Sequence, residues 1–347
     1  MLKIAAFPSE DKGNPYIENF YSALCDEEIV TVPTKGAAQD WLKNNIEDYD
    51  VAHFHWLIDF YNNESWKICF NHALRFIRTL IFLKKNKKKI LFTLHNTFPH
   101  ESRSRFIDWL VRFFILHLCD CVIVHSKSAK RQLAYLFGKF SNTVVMYHGH
   151  YKENYSNLVD STAARTKLNI KPNEKVILFL GAIRPYKGVI ELVEAFQKLK
   201  SSKLKLLIAG SLKPSLFGSN LEGKIGKDNR ILFHNKFIED EDLQTFFNAS
   251  DLVVLPFRNS LTSGSLLLSY TFNKPVLVPN ISSLKEYEIL DLTYTIDSDL
   301  ELSISKTLES LTTPDKSIVD LEMSKYNWDS VILPVKRKLK HLGWHQQ

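Results

Sequence analysis

Val176-Ile177-Leu178-Phe179-Leu180-Gly181-Ala182-Ile183-Arg184-Pro185-Tyr186-Lys187-Gly188 is the stretch on which the reading of the fold turns. Its apolar run predicts a buried strand near 175 to 181, Gly181 a turn, and the residues from 187 to 199 an amphipathic helix. A glycine turn and two cations between a strand end and a helix start make a site for a diphosphate. Arg184 can donate bidentately there and Lys187 acts as a point charge. A solvated basic turn would account for the charges, but not for their place between strand and helix.

The same alternation runs outward in both directions. Strands are expected near 204 to 209, 230 to 233, 251 to 255, 275 to 279 and 292 to 296, with helices near 239 to 248, 264 to 272 and 282 to 290. Upstream, strands are expected near 2 to 7, 28 to 32, 51 to 55, 89 to 94, 121 to 125 and 143 to 147. Helices are expected there near 15 to 24, 64 to 84, 103 to 118 and 127 to 137. A polar stretch, 152 to 174, reads as a linker or a short irregular helix between the two series. The predicted fold is therefore α/β, with two doubly wound, Rossmann-like domains facing a central cleft and ligands outside the carboxyl ends of the strands. The domains are placed at 1–155 and 170–325. A last helix, from Trp328 to Leu342 within 326–347, is expected to pack back on the first.

The 347 residues suit two such domains. With 45% hydrophobic and 24% charged residues, the composition is that of a packed globular protein and excludes disorder. The net charge of +7 suits phosphate ligands or an anionic membrane face, and no groove-reading or base-stacking element points to nucleic acid. Cys25, Cys69, Cys119 and Cys121 are too few for a disulfide framework, which fits a reduced, cytoplasmic compartment. The apolar run at the N-terminus is stopped by Pro8 and reads as a strand. Trp109 to Cys119 is interrupted by Arg112 and His117, short of a membrane span.

Three strands of the first half end in histidine words: His53-Phe54-His55-Trp56, Thr93-Leu94-His95-Asn96 and Tyr147-His148-Gly149-His150. Alternation puts His53 and His55 on one face of their strand, and neighbouring parallel strands bring their carboxyl ends together. Each histidine alone reads as a core or rim residue; the grouping singles out His95 and His148. The spacing matches no metal-ligand motif. Phe98-Pro99-His100-Glu101 then offers a carboxylate, Glu101, as a general base, with Asp59 as the second choice.

A second loop, Pro256-Phe257-Arg258-Asn259-Ser260-Leu261-Thr262-Ser263-Gly264-Ser265, also follows a strand and opens a helix, so it is expected to grip the same diphosphate as Arg184 and Lys187. Lys84, Lys85, Lys87, Lys88 and Lys89, with Arg103, Arg105, Phe106, Trp109, Arg112, Phe113 and Phe114, form a candidate membrane-facing patch. A solvated lysine turn beside a core-facing helix is the competing reading.

These words resemble the GT-B glycosyltransferases, and in particular glycosyltransferase family 94. The resemblance runs through Asn14-Pro15-Tyr16, Asp50 to Trp56, Thr93 to Asn96, Pro99-His100-Glu101, His148 to Tyr151, Ile183 to Gly188, Leu255 to Arg258 and Ser263 to Leu268. It implies an inverting transferase that moves mannose from GDP-mannose to a lipid-linked oligosaccharide. The work would be done without a metal or other cofactor, at the inner face of the cytoplasmic membrane, in surface-polysaccharide assembly. The catalytic residues implied are Glu101 and His95. Asn14, His53, His55, Trp56, Asp59, Asn96, His100 and His148 would face the acceptor. Arg184, Lys187, Gly188, Arg258, Ser263, Gly264 and Ser265 would hold the donor.

Two departures bear on this. The retaining enzymes of family 4 carry two glutamates where this chain has Ser260 and Leu268, so their ribose-binding carboxylate is missing. In the family the His-x-His-Trp word continues Pro-Glu, whereas here Leu57-Ile58 follow, and Asp59 stands one residue on. The competing readings are a retaining, UDP-sugar-dependent relative of family 4 and a non-catalytic nucleotide-sugar-binding protein.

Overall fold

The computed structural model describes residues 1–341 apart from 12, 64, 100, 101, 103, 139, 140, 227 and 313. They form two compact units, Met1–Gly149 with Tyr326 onward, and His150–Lys325. The first unit runs β1 (Leu2–Phe7), α1 (Tyr16–Leu24), β2 (Ile29–Val32), α2 (Ala38–Asn44), β3 (Val51–Phe54), α3 (Trp66–Lys85), β4 (Lys89–Leu94), α4 (Arg105–Leu118), β5 (Cys121–Val124), α5 (Lys127–Phe137) and β6 (Thr143–Val145). The second runs α6 (Ser161–Lys167), β7 (Lys175–Leu180), α7 (Val189–Lys198), β8 (Leu204–Ala209), α8 (Leu216–Ile225), β9 (Ile231–His234), α9 (Asp240–Ala249), β10 (Leu252–Val254), α10 (Gly264–Thr271), β11 (Val276–Pro279), α11 (Ser282–Lys285), β12 (Thr293–Ile296), α12 (Leu300–Ser310) and α13 (Lys316–Ser324). The chain then returns to the first unit as α14 (Trp328–Val331) and α15 (Leu333–His341).

Both sheets are six-stranded and parallel, ordered β2-β1-β3-β4-β5-β6 and β12-β11-β10-β7-β8-β9. The winding reverses between β1 and β3 in the first and between β7 and β10 in the second. At such a reversal the neighbouring connections leave on opposite faces and a crevice opens at the carboxyl edge. Central strands are covered on both faces, which is why they read as unbroken apolar runs; β3 and β5 are buried throughout.

Each unit has its own core. In the first, Tyr16, Ile17, Phe20 and Leu24 of α1 pack with Ile4, Val51, Leu91 and Ile123 of the strands, and Trp328, Val331, Ile332, Val335 and Leu339 of the last two helices join them. In the second, Val189, Leu192, Val193 and Phe196 of α7 pack on Ile177, Phe179, Leu206 and Ile208. The four cysteines are free, and among the described residues no helix is long and apolar enough to cross a membrane.

Arg112 does not belong to the surface patch expected of α4. It is 5% exposed, and its Nε donates to the Thr97 carbonyl at 2.8 Å, tying α4 to the loop after β4. Phe106 and Trp109 on the same helix do stand out, at 64% and 41% exposure. The lysine run is partly spoken for: Lys84 and Lys89 pair with Asp120, and Lys88 donates to the Tyr49 carbonyl.

Candidate functional site

In the first unit the histidines at the strand ends gather around α1. The His53 and His55 rings lie 4.1 Å apart at the carboxyl end of β3. The Tyr21 hydroxyl bridges them, at 2.6 Å from His53 Nδ1 and 3.1 Å from His55 Nε2. His53 Nε2 continues to Thr93 Oγ1 at 2.9 Å, and His55 Nδ1 to His95 Nε2 at 3.3 Å. Thr93, His53, Tyr21, His55 and His95 thus form one hydrogen-bonded chain, since each neutral imidazole offers one donor and one acceptor. Tyr16 sits at the centre, its ring 4.9 Å from those of both His95 and His148. Its hydroxyl donates to His125 Nε2 at 3.2 Å, because His125 Nδ1 already donates to the Met146 carbonyl at 2.9 Å. His148 Nδ1 donates to the Gly149 carbonyl at 2.7 Å.

Burial sets the charge of this group. His53, His55, His95, His125 and His148 are all at most 9% exposed. Loss of solvation lowers every one of their pKa values, to about 4 for His125 and about 3 for His148. The cluster is neutral at pH 7. His95 therefore exchanges hydrogen bonds readily but takes up a proton poorly, which suits orientation better than base catalysis. Among the described residues no three His, Cys, Asp or Glu are placed to hold a metal ion.

Trp56 stacks on His95, centroids 4.5 Å apart and planes at 17°. Asn96 follows His95 and, with Trp56 and Arg112, lines a small cavity. Asn14 accepts from the Tyr16 amide at 3.0 Å and so starts α1. Asp59 lies in a single 3-10 turn (Leu57–Phe60) that follows Trp56. Its carboxyl is raised by burial and by Asp11. His100 and Glu101 lie outside the described residues.

The second unit presents a different chemistry at its own reversal. Gly181 closes β7 at φ +132°, and Gly188, left-handed at φ +69°, opens α7. Gly188 packs so closely on the loop after β10 that a Cβ there would lie 2.1 Å from the Pro256 carbonyl oxygen. The Lys187 ammonium turns inward, 3.1 Å from where a Gly181 Cβ would be and 5.8 Å from the Phe257 ring centroid. Enclosure, then the nearby Arg184, bring its pKa down to about 8, and among the described residues no carboxylate pairs with it.

Ser265, its Oγ also near Gly181, lies in the first turn of α10, and Ser263 caps that helix by accepting from the Leu266 amide at 3.1 Å. Gly264 lies against Tyr151, whose hydroxyl would be 3.0 Å from a Cβ there. The structure thus brings Arg184, Lys187, Gly188, Ser263, Gly264 and Ser265 to one strand-edge crevice. Arg258 is held elsewhere: its guanidinium pairs with Glu191 of α7 on the exposed surface.

The sequence alone does not single out the Tyr16 and Tyr21 hydroxyls or His125. His125 follows β5 directly and could have been found by the rule that found His95; the two tyrosines lie on α1, where spacing says nothing of a partner on another strand.

The profile of the family described as Glycosyl transferases group 1 matches residues 160–317, and that of Glycosyltransferase Family 4 matches residues 20–153. Between them the two profiles reach into both units, and the fold is that of the GT-B glycosyltransferases. Among proteins similar to this glycosyltransferase is the GDP-mannose:glycolipid 4-beta-D-mannosyltransferase of Xanthomonas campestris pv. campestris, 28% identical over 273 residues, 77% of this chain and 70% of that protein. Sucrose-phosphate synthase of Thermosynechococcus elongatus has a similar structure, with a TM-score of 0.75 at 17% identity, covering 99% of each chain. Anabaena HepE, solved with UDP and glucose, superposes with a TM-score of 0.70 at 15% identity over 98% of this chain and 100% of its own. These likenesses are in the fold.

Proposed function

We propose that this glycosyltransferase moves mannose from GDP-mannose to a lipid-linked oligosaccharide, with inversion at the anomeric carbon, in the assembly of a surface polysaccharide. The carrying observation is the mannosyltransferase relative, whose likeness spans 77% of the chain rather than one unit alone. Ser260 and Leu268, standing where retaining enzymes carry their two glutamates, favour the inverting course.

In this reading the second unit holds the donor. Arg184 and Lys187 meet the diphosphate, and the first-turn amides of α10 add their dipoles. Cations fixed before the reaction stabilise the charge that grows on the leaving diphosphate without reorganising. That is the task a metal performs in other transferases, so none is required here. The first unit holds the acceptor, with the neutral His55, His95 and His148 as hydrogen-bonding groups. The exposed Phe106 and Trp109 beside Arg105 on α4 support peripheral contact with the inner face of the cytoplasmic membrane, where a lipid-linked acceptor resides.

The test is a thermal-shift screen of the purified protein against GDP, GDP-mannose, UDP and UDP-glucose, repeated with Arg184→Ala. A ligand at about 100 times its Kd adds roughly 2.7 kcal/mol of stability. Stabilisation by GDP and GDP-mannose that Arg184→Ala removes is the expected result. A response to UDP ligands alone would give the donor site to a UDP-sugar, and silence toward all four would refute the transferase reading.

A further inference from the structure

The hydrogen-bonded chain from Thr93 to His95 has an order that its protons decide. The register of β3 on β4 pairs His53 with Leu91, which brings Thr93, two residues further along β4, within reach of the His53 ring. Tyr21 of α1 then joins His53 to His55, and His55 joins His95. Burial keeps every member neutral: it lowers the imidazole pKa values and, with Cys25 adding to the effect, raises that of the Tyr21 phenol. A hydroxyl and a neutral imidazole each carry one proton to donate, so the five groups bring five protons to four gaps. One proton is left over, and it stands at one end of the chain.

The two ends are not alike. Thr93 is fully buried, and among the described residues its hydroxyl has no hydrogen-bond partner except His53 Nε2. If the chain ran from His95 toward Thr93, the Thr93 hydroxyl hydrogen would be buried with no acceptor, at the full cost of its lost solvation. His95 is 9% exposed and borders, with Asn96 and Arg112, a cavity of about 40 Å³, room enough for a water. A leftover N–H at Nδ1 is answered there. The 2.6 Å between the Tyr21 hydroxyl and His53 Nδ1 is short for an N–H donor, but a small lengthening relieves it, and no such adjustment supplies Thr93 with an acceptor. Donation therefore runs from Thr93 to His53 Nε2, from His53 Nδ1 to Tyr21, from Tyr21 to His55 Nε2, and from His55 Nδ1 to His95 Nε2.

We propose that Tyr21 is a positioning residue which, by carrying this order from His53 to His55, holds His95 as its Nδ1–H tautomer, so that His95 faces its ligand as a hydrogen-bond donor with no lone pair there to act as a base. The inference deepens the glycosyltransferase reading and rests on it for the ligand, while the tautomer is a property of the chain alone. An Nδ1–H takes no proton from a hydroxyl group; it meets an oxygen lone pair. His53, His55 and His95 are then all Nδ1–H, although an isolated neutral imidazole favours Nε2–H. The Tyr21 hydroxyl is the link supplied from outside β3, β4 and their ends, so its loss cuts the chain while leaving the ring in the core.

The experiment uses the full chain, its histidines labelled with nitrogen-15, at pH 7. Long-range proton–nitrogen correlation spectra distinguish the two tautomers, because the protonated and bare ring nitrogens resonate far apart. The spectrum of His95→Gln, which lacks the His95 signals, assigns them. The expected result is Nδ1–H for His95 in the unaltered chain and, in Tyr21→Phe, a mixture holding about 10% or more of Nε2–H. Thr93→Val, which removes the hydroxyl that sets the order and keeps the side chain's shape, should give the same mixture, and Thr93→Ser should not. Nε2–H on His95 in the unaltered chain overturns the inference outright. So does an unmixed Nδ1–H in Tyr21→Phe, which would show that something other than the chain holds the tautomer. Should Tyr21→Phe fail to fold, Thr93→Val decides in the same way. GDP binding is followed in the same samples by thermal shift: no response to GDP in the unaltered chain refutes the glycosyltransferase reading, whereas the tautomer of His95 stands or falls by its spectrum.

Discussion

At the scale of single residues, the second unit is built around one displaced ionisation. Lys187 has a pKa of about 8 because its ammonium is enclosed and Arg184 is near, so it is largely charged at pH 7 and loses its proton as pH passes 8. A bound diphosphate supplies the missing counter-charge and raises that pKa again, so above pH 8 binding must be accompanied by uptake of a proton. The sign follows: affinity for GDP is full at and below pH 7 and falls as pH rises through 8, by about tenfold from pH 7 to pH 9. Titration calorimetry at pH 7, 8 and 9, in buffers of different ionisation heat, would show the proton taken up at the higher pH. Lys187→Arg should flatten the profile, because a guanidinium stays charged throughout. A flat profile with lysine in place would show that the ammonium does not meet the ligand.

The elements that carry these residues depend on close backbone approach. Gly188 combines a left-handed φ of +69° with the contact to the Pro256 carbonyl, so it joins the start of α7 to the loop after β10. Gly188→Ala should cost about 2 kcal/mol or more and abolish GDP binding, because the two sides of the crevice would be pushed apart. Gly223, inside α8 with open space where its Cβ would go, is the control. Gly223→Ala should stabilise by about 0.5–1 kcal/mol. Urea unfolding of the two variants separates these outcomes.

The same elements show what a sequence reveals. All twelve strands were legible to within about two residues, the central ones because coverage on both faces makes them apolar runs and the edge ones because they alternate with helices in the same rhythm. The helices α2, α8, α12 and α13 were not: α8 holds Gly218 and Gly223, α2 and α12 bury Gln39 or Ser303 and Thr307 among few apolar residues, and α13 buries only Val319 and Met323. The single C-terminal helix expected from Trp328 is two, divided at Ile332 just before Pro334. In the site, alternation placed His53 and His55 together. No spacing rule connects Tyr21 to them from α1, and none says that Arg112 turns inward while Phe106 turns out. The charges between β7 and α7, by contrast, were readable.

For the whole molecule, the chain path makes the two units unequal. Residues 150–325 form the second unit as one continuous piece, with its own core and the cationic crevice, whereas the first unit is closed by the chain's return after Lys325. That return is an apolar one. Trp328, Val331, Ile332, Val335 and Leu339 are each at most 8% exposed within the first core, and Gly149 lies so tightly against Trp328 that a Cβ would overlap the indole. The ion pairs Lys336–Asp26 and Lys340–Glu28 are solvent-facing and add little.

Five buried apolar side chains contribute roughly 1.5–3 kcal/mol each, which together match the about 5–15 kcal/mol by which a domain of this size is stable. A chain ended after Lys325 should therefore lose the cooperative unfolding of its first unit and keep that of the second. The isolated 150–325 segment should fold, unfold in one calorimetric transition, and bind GDP within a few-fold of the full chain, with no transfer of sugar. If the shortened chain still shows both transitions, the last two helices are an appendage, and the first unit's stability must lie in the histidine-centred packing around Tyr16 alone.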